Sequence, residues 1–382
     1  MADYGIRIYH QDGSHFDFTD QATMCRLLGI GQTQNHALAQ TTTTFTENTG
    51  IRVPEGYDWW LWQTFNVVQN WGVIVPWSAV FSGFGPAGPG QAWAYLDANR
   101  VINVRWEYTY IEDRVGGRLV FANFYIPSLL YGAVCWPVAQ QYEYGFQIYG
   151  VDNLSGVFDT SLVSYLMWKG EIDIYDGWSP AHINPAFTLH NSLCFFYTTD
   201  PDAVISIDYH MRYRVWRNGR RTTSPVRARV CIFGNGAPVS PLADYGLEVW
   251  NPRTGQRVYN SGRDVLIRPR LVSVQAALTM VNQQLVYDRV TVPGISRPMY
   301  APTNTGAGVS YGVSWNEKGE DMPAYYTWVS SDGYSLYQRA GGEVAVFNEI
   351  PPDRRLIRYD NVHYSNAVNP VMVINAEDYF VF

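Results

Sequence analysis

At 382 residues the chain is too long for one ordinary domain. Hydrophobic residues reach 47% and charged residues only 16%, a balance that excludes intrinsic disorder. The 33 Gly, 21 Pro and 15% aromatic content exclude a mostly helical protein, and a net charge of −7 argues against nucleic-acid binding.

The first segment is Met1-Ala2-Asp3-Tyr4-Gly5, which lacks the basic and apolar regions of a signal peptide. No run reaches the ~18 uncharged apolar residues needed to span a bilayer. Synthesis in the cytoplasm, without a membrane span, is therefore expected. Cys25, Cys135, Cys194 and Cys231 lie far apart with no C-x-x-C pair, a spacing that predicts buried free thiols.

The opening strand repeats. Tyr4-Gly5-Ile6-Arg7-Ile8-Tyr9 returns as Tyr144-Gly145-Phe146-Gln147-Ile148-Tyr149 and as Tyr245-Gly246-Leu247-Glu248-Val249-Trp250. Each copy alternates apolar and polar residues and is followed by a turn rich in Asp, Asn, Gly or Pro. A second strand closes on Phe16-Asp17, on Phe158-Asp159-Thr160 or on Tyr259-Asn260-Ser261. These are hairpin signals. They divide the chain into three tandem homologous units, 1–141, 142–242 and 243–382, with Tyr4, Tyr144 and Tyr245 equivalent. Gly5, Gly145 and Gly246 are then equivalent too.

Between the hairpins, Val101–Tyr110 alternates as a strand does. Ile205 to Val215 alternates as well, followed by the turn pair Asn218-Gly219 and a returning Val226–Phe233. Val371–Phe382 alternates more loosely. Thr41–Gly50, Phe81–Gly90 and Val292–Gly312 have no apolar period and read as loops. Only Asp20–Leu28 and Ser273–Gln283 carry a helical pattern. The fold expected is all-β: three antiparallel β-sandwich, jelly-roll-like domains.

The opening resembles tail-tip and tail-fibre-associated proteins of tailed bacteriophages, which begin Met-Ala-Asp-Tyr-Gly and continue into a similar hairpin. Met1–Ile8 and Ala243–Val249 carry that opening, and the match covers roughly the first 25 residues of each repeat. Triplication departs from the single copy of that family. The resemblance implies a non-enzymatic virion structural component, at the tail tip, baseplate or fibre attachment, made in the host cytoplasm. It also implies other tail proteins as partners and a multi-copy symmetric assembly.

Several side-chain groups bear on chemistry. Gly83-Phe84-Gly85-Pro86-Ala87-Gly88 matches a dinucleotide fingerprint by letter, but Pro86 and Pro89 stand where its helix would start, so no cofactor is expected. Glu171 and Asp173 share one strand face and could serve a polysaccharide depolymerase, though any solvated strand alternates in this way. Asp208, His210 and Arg212 lack an accompanying nucleophile, and His182 and His190 lack a third metal ligand. No catalytic or metal site is expected. Arg212, Arg214, Arg217, Arg220, Arg221, Arg227 and Arg229 form a basic ribbon suited to an acidic neighbouring subunit, with anionic glycan second and nucleic acid third. Trp59, Trp60, Trp62, Trp71 and Trp77 crowd one stretch. Burial is the leading reading, and a sugar platform of Trp59 and Trp62 on a receptor-binding protein is the rival.

Overall fold

The computed structural model describes residues 5–9, 13, 15–19, 23–34, 36–38, 44–75, 83–108, 118–120, 124–126, 128–138, 145–149, 154–158, 163–208, 210–217, 219–234, 247–250, 253, 255, 257–275, 279–281, 284–286, 288–313, 324–341 and 358–382. The fold is all-β, and every strand pairing among the described residues is antiparallel. Among the described residues the only helical turns are 3-10, at Pro180–His182 and Ala376–Asp378. The two helical patterns instead overlap strands, Arg26–Gln32 in the first and Thr279–Val281 in the second.

Nine strands make the central framework, three from each interval. They are β1 (Arg26–Gln32), β2 (Tyr57–Gln63) and β3 (Leu130–Pro137), then β4 (Leu166–Ile174), β5 (Ser192–Tyr197) and β6 (Val226–Gly234). The last three are β7 (Arg270–Val272), β8 (Pro298–Tyr300) and β9 (Val371–Asn375). In each triplet the last strand lies between the first two, giving the orders β1-β3-β2, β4-β6-β5 and β7-β9-β8. Each interval also inserts a further sheet, wholly or mainly between its second and third framework strands. These sheets have five, three and four strands respectively.

The intervals are not separate sandwiches. Strands β5 and β8 meet at Phe196 and Tyr300, so the second and third triplets fuse into a six-stranded sheet running across residue 242. Pairing these two edges removes exposed strand edges that would otherwise need protection. One hydrophobic core draws on all three intervals, including Cys25, Trp62, Phe196, Val230, Leu266 and Met372.

Three expected loops are strands. Thr44–Arg52 pairs with Val101–Tyr108, and Asn304–Val313 pairs on both sides. Gly83–Leu96 contains the G-x-G-x-x-G letters within a strand and not at a strand-to-helix turn. Pro86 and Pro89 lie where this strand pairs with Val67–Val75, and Val101–Tyr108 joins it from Gly90 onward. Val101–Tyr108 follows its alternation, with Ile102, Val104 and Trp106 buried.

The long alternation from Ile205 to Val215 is a tight hairpin, not one strand. Ala203–Ile207 pairs with Tyr213–Arg217. Asp208 makes the turn, its Oδ1 accepting the His210 and Arg212 amides at 2.9 Å each, and Met211 takes φ 59°. Both faces of these strands are buried, and Trp216 donates its indole N–H to Ser206 Oγ at 2.8 Å. The next turn forms where Asn218-Gly219 stands, between paired Arg217 and Arg220, with Gly219 at φ +71°. The returning Val226–Gly234 then leaves this sheet and becomes β6.

Candidate interaction surfaces around a three-way junction

The segments entering β1, β4 and β7 meet at one point. The Cys25 amide donates to Leu266 O at 2.7 Å, Leu266 to Ser164 O at 2.8 Å, and Ser164 to Cys25 O at 2.9 Å. The three bonds form a closed ring, with one donor and one acceptor from each interval. A second layer continues the pattern: Leu166 donates to Asp264 O at 2.9 Å and Arg268 to Thr23 O at 2.6 Å. In the third position Leu27 donates instead to Ser164 Oγ at 2.6 Å.

Strand alternation sorts the side chains of these segments. Cys25, Leu27, Leu166 and Leu266 enter the main core. Met24, Tyr165 and Val265 face the other way and pack with Ile8, Val249 and Tyr259 from the first and third hairpins. Tyr379 braces the junction, donating its hydroxyl to Val265 O at 3.1 Å and accepting the Ile267 amide at 3.3 Å.

Each repeated motif forms a two-stranded ribbon of its own. Gly5–Tyr9 pairs with His15–Thr19, Gly145–Tyr149 with Leu154–Phe158, and Glu248–Trp250 with Arg257–Asn260. The outer two share a register: Ile8 faces Phe16 as Val249 faces Tyr259, and Arg7 faces Asp17 as Glu248 faces Asn260. The middle copy is offset, with Phe158 opposite Gly145 and Ile148 opposite Ser155. Tyr4, Tyr144, Tyr245 and Gly246 lie outside the described residues. The final aromatic of the motif is exposed in the outer copies, Tyr9 by 74% and Trp250 by 46%.

The arginine ribbon finds carboxylates within its own chain. Arg214, with a side chain only 5% exposed, places Nε 2.7 Å from Asp208 Oδ2 and Nη1 3.0 Å from Asp176 Oδ2. Arg221 grips Asp176 with both Nε and Nη2, a fork on a carboxylate. Arg212 pairs with Asp208, and Arg217 with Asp200. Burial pushes the Asp176 carboxyl up, but Arg221 and Arg214 more than offset this and hold it below its ordinary range. Arg220 is exposed beside the turn.

On the β4–β6 face, Glu171 stands opposite Arg229 and Asp173 opposite Arg227. Arg227 Nε lies 2.9 Å from Glu171 Oε1, and Arg229 Nε 3.3 Å from Glu171 Oε2. The Arg227 hydrogen bond, with further help from Arg229, lowers the Glu171 pKa despite slight desolvation. A glycosidic general acid needs the opposite shift. Arg229 and Arg297 also place their guanidinium carbons over the Phe382 ring, 3.9 Å and 4.0 Å from its centroid.

Trp62 does not belong to a sugar platform. It is 3% exposed, and its indole N–H donates to Pro302 O at 3.1 Å and Thr303 Oγ1 at 3.2 Å. Alternation along β2 turns it into the core that joins the first and third intervals. Trp59 is partly buried against the neighbouring core, and Trp60 against the main one. The Trp71 side chain and Trp77 lie outside the described residues. His182 serves locally, its Nδ1 accepting the Ser179 amide at 2.9 Å. His190 and His210 are exposed.

All four cysteines are free and buried. Burial pushes the Cys135 and Cys194 thiols up to about 12, and raises Cys25 and Cys231 well above the ordinary thiol value. Thiols held protonated in this way are poor nucleophiles. No helix among the described residues is long and apolar enough to cross a membrane.

Residues 123–319, just over half of the chain, match the family described as "Family of unknown function (DUF6453)", and the chain belongs to it. The matched region runs from before β3, through the whole second interval, into the third. No curated protein and no solved structure is found to match the chain.

Proposed function

We propose that this member of the DUF6453 family is a non-enzymatic structural component of a bacteriophage virion, placed at the tail tip, baseplate or fibre attachment. The observation that carries the reading is the closed ring of Cys25, Leu266 and Ser164. Through it, three copies of one hairpin-plus-triplet unit become a single body with repeated surfaces. Repetition about a common centre suits docking into a symmetric assembly, where each repeated surface meets a repeated neighbour. The opening of the chain, similar to those of phage tail proteins, supplies the class of particle.

The carboxylates suited to hydrolysis support the same reading, because Arg227 and Arg229 already hold Glu171 in its ionised form. The burial of Trp62 takes one of the two proposed stacking rings away from any glycan. Mass spectrometry of purified particles tests the proposal. The protein should be present in fixed ratio to other tail components, and its absence from infectious particles would overturn the reading.

A further inference from the structure

We propose that the outward face of the five-stranded sheet binds a neutral oligosaccharide, with Trp93 and Tyr95 as the rings on which its sugars stack. The proposal goes beyond the virion reading and does not depend on it.

Alternation separates the two faces of this sheet. Ala92, Ile102, Val104 and Trp106 turn inward to a buried core. Trp93 and Tyr95 of Gly83–Leu96 therefore turn outward, as do Asn103, Arg105 and Glu107 of Val101–Tyr108. The register sets these side chains in two parallel rows. Trp93 stands opposite Arg105 and Arg105 opposite Thr46, while Tyr95 stands opposite Asn103 and Asn103 opposite Asn48. Each row thus runs from an aromatic ring, through a hydrogen-bonding side chain, to a small polar residue on the edge strand. Rows two residues apart lie about 6.5–7 Å from each other. The third interval closes the face at one end, where Gln91 donates to Asn366 O at 3.1 Å and Asn369 to Ala92 O at 2.7 Å. Trp93 is the next outward residue beyond that boundary.

The chemistry of the face favours a sugar over a protein. Tyr95 is 39% exposed, and Thr46 and Asn48 are exposed as well. Arg105 pairs with Glu107 at 2.9 Å, both side chains being about two-fifths exposed, so the one cation of the rows is neutralised. A neutral ligand matches that balance, and an acidic partner does not. Protein interfaces place apolar residues at the centre and polar ones at the rim. Here Arg105 and Asn103 hold the middle of each row, and the aromatic rings stand to one side. A pyranose ring meets both needs, with C–H groups for the aromatic faces and hydroxyls for the polar side chains. The Arg105 guanidinium carbon lies 5.8 Å from the centre of the Trp93 ring. Its sheltered Nε has no hydrogen-bond partner among the described residues, so one donor of this side chain is unused beside the ring. Two like rows side by side suit a ligand that itself repeats.

The test probes the full-length chain with immobilised neutral oligosaccharides built on glucose, galactose, mannose and N-acetylglucosamine. Sulfated and uronic-acid oligosaccharides serve as the charged comparison. At least one neutral class should bind, and its affinity should hold between about 0.05 M and about 0.5 M NaCl. Trp93→Ala and Tyr95→Ala should each weaken that binding at least about tenfold, while Tyr175→Ala, at an exposed ring elsewhere, should not. Thr46→Arg removes no packing and lays a long side chain across the first row, so it should also block binding. It decides the matter if Trp93→Ala melts early. Binding of no neutral oligosaccharide, binding of charged ones alone, or full affinity in Tyr95→Ala and Thr46→Arg would overturn the proposal. Absence of the chain from purified particles defeats the virion reading separately and leaves the binding result to stand by itself.

Discussion

The Ser164 hydroxyl accepts the Leu27 amide at 2.6 Å, while the Ser164 amide donates to Cys25 O at 2.9 Å. One small residue of the second interval thus makes two bonds to the first. The side-chain bond stands where the other two sides of the junction use main chain. Both residues are fully buried, so neither partner can turn to water. Ser164→Ala leaves the Leu27 N–H without its acceptor and should cost about 1–3 kcal/mol in urea unfolding. An unchanged midpoint would show that the hydroxyl does not hold the junction.

The arginines divide by burial, and their mutational costs should divide with them. Arg214 bridges Asp208 and Asp176 at 5% side-chain exposure, so Arg214→Ala takes a buried partner from two carboxylates that keep only Arg212 and Arg221, and should cost roughly 1.5–3 kcal/mol. Arg227 is 60% exposed, and Arg227→Ala should cost clearly less. Equal losses in chemical unfolding would contradict this division. It follows that reversing Arg212, Arg214 and Arg229 together to Glu would damage the fold itself, because Arg214 belongs to the interior.

Acid should weaken the protein through the same pairs. The folded-state pKa values of Glu171 and Asp176 lie below their ordinary ones, Glu171 mainly through Arg227 and Asp176 through Arg221 and Arg214 against its burial. A depressed carboxylate contributes stability above its unfolded pKa of about 4 and loses it as pH falls through the lower folded value. Thermal melting should therefore be flat in this respect above about pH 5 and decline below about pH 4. The Arg221→Ala variant should show a shallower decline, and a decline as steep as the parent's would remove Asp176 from the account.

Trp62 joins the first interval to the third through its bonds to Pro302 and Thr303. Trp62→Ala should cost about 3–5 kcal/mol, as large aromatic truncations in cores do. Trp59→Ala, at a partly exposed position, should cost clearly less. A mild Trp62→Ala with normal melting would return that ring to the list of accessible binding surfaces.

Much of this was legible in residues. The alternation of Ile6, Ile8, Val249 and Tyr259 around turn residues marks two hairpins with the same register, and Ile102, Val104 and Trp106 mark a half-buried strand. Local rules failed where distant pairing decides the outcome. Pro86 and Pro89 look like loop residues until their strand is found paired with Val67–Val75, a segment distant from them in the pattern. The run from Ile205 to Val215 keeps its alternation through a turn, because Asp208 caps the bend and both arms present the same parity to the core. The ring itself leaves little trace. Thr23-Met24-Cys25, Val163-Ser164-Tyr165 and Val265-Leu266-Ile267 share an alternation but no motif, since main-chain atoms make the closing bonds. The carboxylate partners of the arginines were also hidden, because Asp176 and Asp200 reach them through tertiary folding.

The claim that three repeats close into one body through the ring is tested most directly by native-state hydrogen exchange across a denaturant series. The amides of Cys25, Ser164 and Leu266 belong to three distant parts of the chain but to one cycle of bonds. They should exchange last, with one common opening free energy equal to that of global unfolding. Three different opening energies, with one interval releasing its amide while the others stay protected, would contradict a single closed body.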